Sequence, residues 1–473
     1  MRTAAVILAA GQGTRMRSNL PKVLHPLVGR PMVLYALDAV RAVIDVPPVL
    51  VVGHGADAVR QTVGEGVAYV EQREQKGTGH AVLQAREVLR GKADLVLITY
   101  ADMPLLRPET LRRLVDRQRE NPGPLTLLTL VADDPRGFGR VVRDESGAIV
   151  AIVEEATATP EQLAIRELNA GVYCFDAEWL WSHIDRIPLS LPKREYYLTD
   201  LIGMAAAEGL RVEGIGVQDP TEALGINTRV HLAEAEAILR RRINRRWMEA
   251  GVTMIDPETT YIEAEVRIGQ DTVIWPNTVL RGRTVVGQRC QIGPNSLIED
   301  STIGDNCRVL ASVVESAVME EGSDVGPFSH LRKGARVCAG AHVGNFGEIK
   351  NATLGPGAKM GHFSYLGDAE VGAEANIGAG TITCNFDGER KHRTEIGERA
   401  FIGSGTMLVA PVRVGKEATI GAGSVVTHDI PDGALAYGVP ARVKRKQDTR
   451  GKTQDARGKT QDAGSRKVGG HDR

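Results

Sequence analysis

The sequence predicts an α/β protein in three successive parts: a Rossmann-like domain over residues 1–226, a linker helix over 227–251, and a parallel β-helix of hexapeptide repeats over 252–443, followed by a disordered basic tail over 444–473. Three observations carry this prediction. The C-terminal half repeats an aliphatic residue followed by glycine. The N-terminal half alternates buried-strand and amphipathic-helix patterns. Between them lies one stretch with an apolar stripe at helical spacing.

The repeat appears at Ile268-Gly269, Val286-Gly287, Ile292-Gly293, Ile303-Gly304, Val325-Gly326, Val343-Gly344, Leu354-Gly355, Leu366-Gly367, Val371-Gly372, Ile377-Gly378, Ile396-Gly397, Ile402-Gly403, Val414-Gly415 and Ile420-Gly421, and most spacings between successive glycines are 5, 6, 11, 12, 18 or 19 residues. A hexapeptide period marks a parallel β-helix, in which each aliphatic side chain points inward and stacks on the next coil. The adjoining glycine is expected to supply the φ freedom of the corner. At about 18 residues per triangular coil, the repeat makes about nine or ten coils. Residues 331–340 and 383–394 break the period and are expected to leave the coil as loops.

In the N-terminal half, residues 4–8, 49–52, 95–99 and 125–130 are apolar, β-branched-rich runs that suit buried parallel strands. Helical patterns over 32–43, 80–89 and 108–119 separate them, which predicts a mostly parallel sheet. Ligands of such sheets bind beyond the carboxyl ends of the strands. In the connecting stretch, Val230, Leu232, Ala235, Ile238, Leu239, Ile243 and Trp247 form the stripe of one long helix. Its arginines at 240–242 and 245–246 read as a solvated face, with phosphate binding as the alternative.

Composition agrees. Aromatic residues are 4% of the chain and glycines number 53, which suits a solenoid filled by aliphatic side chains. The net charge of -1 gives no electrostatic case for nucleic acid or an anionic membrane. No run of about 18 apolar residues predicts a membrane span. The five scattered cysteines, Cys174, Cys290, Cys307, Cys338 and Cys384, form no CxxC pair and read as buried, reduced thiols of a cytoplasmic protein. The tail holds ten basic and four acidic residues and a duplicated Arg-Gly-Lys-Thr-Gln-Asp-Ala at 450 and 457, with almost nothing to bury.

The sharpest local signal is Leu8-Ala9-Ala10-Gly11-Gln12-Gly13-Thr14-Arg15-Met16, with Pro21-Lys22 just after it. A strand ends at Leu8. Small residues then let the backbone approach a ligand, and their N–H groups can cradle phosphate oxygens. Arg15 and Lys22 add fixed positive charge, as phosphoryl chemistry requires.

This run resembles the signature of the sugar-phosphate nucleotidyltransferases. With the hexapeptide half attached, residues 1 to about 443 closely resemble the bacterial family of bifunctional N-acetylglucosamine-1-phosphate uridylyltransferases/glucosamine-1-phosphate N-acetyltransferases. The resemblance implies a nucleotidyltransferase first domain, a left-handed β-helix with acetyltransferase activity, Mg²⁺, and a homotrimer holding coenzyme A between neighbouring β-helices. The substrates would be UTP, acetyl-CoA, glucosamine 1-phosphate and N-acetylglucosamine 1-phosphate, and the product, UDP-N-acetylglucosamine, would feed cell-envelope synthesis.

Carried over motif by motif, the resemblance gives each position a role. Leu8, Ala9, Ala10 and Gly11 would line the uridine nucleotide, Lys22 would touch its phosphates, and Gln72, Gly77 and Thr78 would read the uracil. Tyr100, Ala101 and Asp102 follow a strand as the family's metal-binding aspartate does, with Asn227 as second metal ligand. Gly139, Glu154 and Asn169 would hold the sugar. Mg²⁺ is a hard cation that takes one or two protein oxygens plus phosphates, so a carboxylate and an amide suffice.

In the β-helix the resemblance falls on side chains that break the aliphatic pattern. His362, in Gly361-His362-Phe363-Ser364-Tyr365, is the natural general base for an amine attacking a thioester, since histidine ordinarily titrates near neutrality. Arg332 and Lys350 would hold the sugar phosphate, Tyr365 and Asn376 would position the sugar, and Asn385 would position the substrates near the thioester. Ala379, Ser404 and Ala422 would let the pantetheine arm lie close. Phe386 stands where the family commonly has tyrosine, keeping stacking without the hydroxyl. Gly438 stands where some members have an arginine for the coenzyme A phosphate, with Arg442, Lys444 and Arg445 as substitutes. The competing readings are a single-activity nucleotidyltransferase with a scaffolding β-helix and a non-enzymatic assembly module. Neither accounts for His362, Lys350, Asn376 and Asn385 together.

Overall fold

Every residue of Thr3–Leu8 is buried, so the strand needs cover on both faces. It forms the middle of a sheet, flanked in parallel by Val49–Val52 and Leu95–Tyr100. The order continues to Ala68–Glu71 on one side and to Glu167–Asp176, Leu125–Val131 and Val212–Gly216 on the other. This computed structural model describes residues 1–191 and 194–446.

The sheet departs from the parallel expectation at one strand. Glu167–Asp176 runs antiparallel to both neighbours, and a hairpin of Arg140–Arg143 and Ile149–Val153 attaches to its start. The reversal matters for the site. Because Tyr173 pairs with Ile98 and Asp176 with Leu95, the beginning of the antiparallel strand lies at the edge where the parallel strands end. The expected helices are found as Met32–Arg41, Pro108–Glu120 and, in place of one helix over 80–89, the short pair Thr78–Leu83 and Arg86–Leu89, and Ala56–Val63, Pro160–Leu163, Ala177–His183 and Asp200–Ala207 add to them.

The linker helix is Arg229–Glu249, two residues shorter at each end than expected, and the chain divides into two compact units after Ile243, inside it. Its arginines are not uniformly solvated. Arg242 is half-buried and donates to the Leu105 carbonyl (2.7 Å), to Asp219 (3.0 Å) and to Thr221 (3.0 Å). That guanidinium holds the first half of the helix to the domain. In the second half, Asn244 is buried and donates to the carbonyls of Pro257 and Thr260 at the start of the β-helix.

Three parallel sheets form the β-helix, and the ten strands of one of them, from Tyr261–Ile262 to Val425–Val426, mark ten coils. Two expectations are corrected. Residues 331–340 stay in the coil, as His330–Leu331 and Arg336–Val337 pair with the coils before and after. Only the second irregular stretch protrudes, between Ile382–Cys384 and Thr394–Ile396. The second correction concerns the glycines. Most repeat glycines have ordinary φ, and the left-handed positions fall two residues later, at Asp271, Arg289, Asn306, Glu374, Arg399 and Glu417. The glycine is required by stacking instead: a Cβ at Gly344 would stand 1.9 Å from the Gly361 carbonyl oxygen of the next coil, and at Gly397 2.5 Å from the Lys416 amide.

The last strand, Ala441–Lys446, pairs antiparallel with Ala434–Gly438, so the folded region runs three residues past 443. The rest of the predicted tail, with its duplication, lies outside the described residues. All five cysteines are free thiols, four of them buried.

Candidate functional site

The loop after Thr3–Leu8 opens a cavity of about 300 Å³ at the carboxyl edge of the sheet. Leu8, Ala9, Ala10, Gly11, Lys22, Gln72, Gly77, Thr78, Tyr100 and Asp102 all line it. Gly77 is bound to be glycine: its φ is 96°, and a Cβ would meet the Tyr196 carbonyl at 2.6 Å. Gln72 is buried and donates to the Gly77 carbonyl at 3.0 Å, while the Thr78 hydroxyl accepts from the Leu198 amide. Ala101 does not line the cavity. It is wholly buried, and its amide donates to the Leu8 carbonyl, which keeps the two strand ends level.

At one side of this cavity the Lys22 ammonium contacts Asp102 Oδ2 and lies 3.2 Å from Asn227 Oδ1. The two oxygens come from positions 125 residues apart in sequence and converge on one cation. Asn227 is brought there by the segment leading to the linker helix, whose Ile226 amide donates to the Asp102 carbonyl at 2.9 Å. A carboxylate and an amide oxygen converging on a cation form a donor set that fits Mg²⁺, which leaves its other positions to water and phosphate.

Gly139, Glu154 and Asn169 form a neighbouring group. The Asn169 amide donates to the Gly139 carbonyl (2.8 Å), the Asn169 side chain donates to the Tyr173 hydroxyl (2.7 Å) and accepts from the Gly171 amide (3.0 Å), and Glu154 accepts from the Thr199 hydroxyl (3.2 Å). Tyr100 joins the two groups. Burial, then the Tyr173, Asp102 and Glu154 side chains, raises its phenol well above the ordinary range. It therefore stays neutral beside the charges of Asp102 and Glu154, hydrogen-bonded to Thr78.

Sequence reasoning missed Gln75, Glu195 and Tyr197. Gln75 donates to the Ala10 carbonyl at 2.8 Å, and all three line the cavity. Gln75, three residues after Gln72, had a local signal. Glu195 and Tyr197 had none, since they come from a segment with no strand or helix pattern. Burial, then Glu195, pushes the Tyr197 phenol up to about 12.

In the β-helix the sequence-derived residues divide between the two corners of one face. At the first corner, Gly361-His362-Phe363 stacks beneath Gly378-Ala379-Gly380, Gly403-Ser404-Gly405 and Gly421-Ala422-Gly423. The ladder is made by Gly380 to Phe363, Gly405 to Ala379 and Gly423 to Ser404. His362 is thus exposed at the foot of a column of small side chains. Asn376 precedes this corner, in register with Lys359 and Phe401.

Arg332, Lys350 and Asn385 lie toward the second corner. Arg332 donates to Glu348 at 2.7 Å, and that bond is the chief cause of its raised pKa. Lys350 pairs in register with Gly367. Tyr365 lies between the corners, and its hydroxyl covers Gly367, where a Cβ would clash with it. Asn385 donates to Asp368, which also accepts from Asn351 at 2.6 Å. Phe386 is 60% exposed at the start of the protruding loop. The loop is tied by Asp387, whose carboxylate is held well below the ordinary range chiefly by the Arg390 amide, then by His392. Gly438 has φ 107°, where an arginine would be strained. Lys444 lies over the Tyr437 ring at 5.4 Å, and the Arg445 side chain lies outside the described residues.

Residues 5–170 match the MobA-like NTP transferase domain, and residues 265–300 and 393–428 match the bacterial transferase hexapeptide (six repeats). The chain is 51% identical to the bifunctional protein GlmU of Thermus thermophilus over 94% of this chain and 97% of that one. It is 47% identical to the bifunctional protein GlmU of Heliobacterium modesticaldum over 95% and 98%, and 44% identical to that of Shouchella clausii over 93% and 97%.

Proposed function

The chain belongs to the family of the bifunctional protein GlmU, and from that premise we propose how its residues divide two successive reactions of UDP-N-acetylglucosamine synthesis. It transfers the acetyl group of acetyl-CoA to glucosamine 1-phosphate, then transfers UMP from UTP to the N-acetylglucosamine 1-phosphate so formed, releasing pyrophosphate. The convergence of Lys22, Asp102 and Asn227 beside the glycine-rich loop carries the assignment of the second reaction to the N-terminal cavity.

Asp102 and Asn227 would hold Mg²⁺, which when bound supplies charge screening for the triphosphate. Lys22 then turns from Asp102 to the phosphates, and the backbone N–H groups from Ala9 to Gly11 cradle them. Gln72, Gly77 and Thr78 read the uracil. Gly139, Glu154 and Asn169 hold the acetamido sugar so that its phosphate oxygen faces the α-phosphorus. That oxygen attacks, the bond to the β-phosphate breaks, and no covalent enzyme intermediate forms. Positioning and charge are sufficient.

On the β-helix, Arg332 and Lys350 hold the phosphate of glucosamine 1-phosphate, and Tyr365 and Asn376 orient its ring. His362 removes a proton from the amine, the amine attacks the thioester carbonyl, and the coenzyme A thiolate leaves. Ala379, Ser404 and Ala422 accommodate the pantetheine arm, and Asn385 and Phe386 border it. The division of these residues between two corners of one face supports a homotrimer, in which the first corner of one copy can meet the second corner of its neighbour. No helix among the described residues is long and apolar enough to cross a membrane. Five free thiols support a cytoplasmic location.

The test is separation of function in the full chain. His362→Ala abolishes release of free thiol from acetyl-CoA with glucosamine 1-phosphate and leaves pyrophosphate release intact. Thiol release surviving in that variant would leave the β-helix as a scaffold.

A further inference from the structure

His80 follows Gly77, Thr78 and Gly79 in the sequence and has no part in either reaction above. Its ring lies against Gln72, and the geometry of that pair has a consequence for which base the cavity accepts. The Gln72 side-chain nitrogen donates to the Gly77 carbonyl at 3.0 Å and lies 3.2 Å from His80 Nδ1. A carbonyl oxygen only accepts, so the nitrogen of the amide, and not its oxygen, faces Gly77. The second amide hydrogen then points at Nδ1, which accepts it when the ring is neutral with its proton on Nε2. Burial, then the Lys76 ammonium, holds the ring below the ordinary histidine pKa. Gln84 donates one hydrogen to the His80 carbonyl at 3.0 Å and its nitrogen lies 3.3 Å from Nε2, a longer approach that is given up in the tautomer whose Nδ1 accepts from Gln72 at 3.2 Å. With both hydrogens of Gln72 engaged, only its Oε1 is left for the cavity.

We infer that His80 is a positioning residue for nucleotide selection, holding the Gln72 amide in the one orientation that accepts the N3–H of uracil and turns a lone pair against N3 of cytosine. The inference rests on Gln72 reading the base, as proposed above. A flipped amide would present its N–H groups to the base and favour cytosine. With the ring protonated on Nε2, it would also set Oε1 against the Gly77 carbonyl and the Nδ1 lone pair, two repulsions of which His80 supplies one. A site built to pair a substrate N–H discriminates strongly because the mismatched partner leaves a buried polar group unpaired.

The experiment compares kcat/KM for UTP and for CTP, with N-acetylglucosamine 1-phosphate, in the full chain and in His80→Leu, His80→Asn and Gln72→Ala. Leucine fills the space without an acceptor, while asparagine restores one at the δ position. His80→Leu should lower the UTP-to-CTP ratio about tenfold, mainly through KM for UTP with kcat nearly unchanged, and His80→Asn should recover most of it. Acetyl transfer reports intact assembly in every variant. If the leucine variant fails to fold, His80→Ala serves as the acceptor-free variant. A ratio unchanged in the acceptor-free variant but lowered in Gln72→Ala overturns the role of His80. A ratio unchanged in Gln72→Ala overturns the base reading beneath it.

Discussion

The two sites are assembled by opposite means. In the N-terminal unit, groups far apart in sequence meet because several loops end at one edge of a sheet: Lys22, Asp102 and Asn227 share a single contact point. In the β-helix, His362, Ala379, Ser404 and Ala422 line up because the coil period brings each above the last. A converging site depends on individual polar contacts. A stacked site is open and depends on the regularity of the backbone under it. The glycines show the same difference. A Cβ on Gly11 would meet nothing within 4 Å, whereas one on Gly344 would meet the next coil's backbone at 1.9 Å.

That contrast can be broken in four ways, the first with the largest effect. Asp102→Ala removes the carboxylate at the convergence point and should lower pyrophosphate release from UTP by about 10³-fold or more while acetyl transfer stays within about twofold. Loss of both in a folded protein would mean that the sites are not independent. Gly344→Ala should destabilise the β-helix by about 3 kcal/mol through overpacking. Gly11→Ala should change stability by less than about 0.5 kcal/mol and show itself only as a raised KM for UTP. Urea unfolding of both variants checks the pair.

Tyr365→Phe removes one hydroxyl from the open site and should slow acetyl transfer about five- to tenfold, with uridylyl transfer unchanged, as initial rates would reveal. The smallest effect concerns the thiols of the β-helix. Burial pushes Cys290 up to about 11. A raised folded-state pKa stabilises fully below the unfolded value and is lost as pH rises through the folded one. The β-helix should therefore weaken between about pH 9 and 11 and become reactive to a thiol reagent there; reaction of Cys290 in the native protein at pH 7 would contradict this.

Much of the first site was legible because its residues are contiguous. The run from Leu8 to Gly11 could be placed at a strand end from pattern alone. Glu195 and Tyr197 were not legible, because nothing local marks a loop that folds over a cavity. The burial of Ala101 was not legible for a related reason: adjacency to Asp102 says nothing of which way a side chain faces. In the β-helix the period revealed the coils but misled on the glycines, since φ freedom and close approach select the same residue. Only the folded backbone separates them, by placing the left-handed positions at Asp271, Arg289 and Asn306.

By itself the sequence determined the two architectures, because hydrophobic periodicity is a local property: alternating buried strands and helices in one half, six-residue coils in the other. It also determined the chemistry available, through the glycine-rich loop, Asp102, His362 and Lys350. The tertiary structure alone decided which groups meet. The reversed strand Glu167–Asp176 carries Asn169 to the edge where the parallel strands end, and coil stacking sets His362 below Ala379 while leaving Lys350 and Asn385 at the other corner. Those outcomes depend on strand direction and register, which follow from packing across the whole sheet and coil and from no short segment.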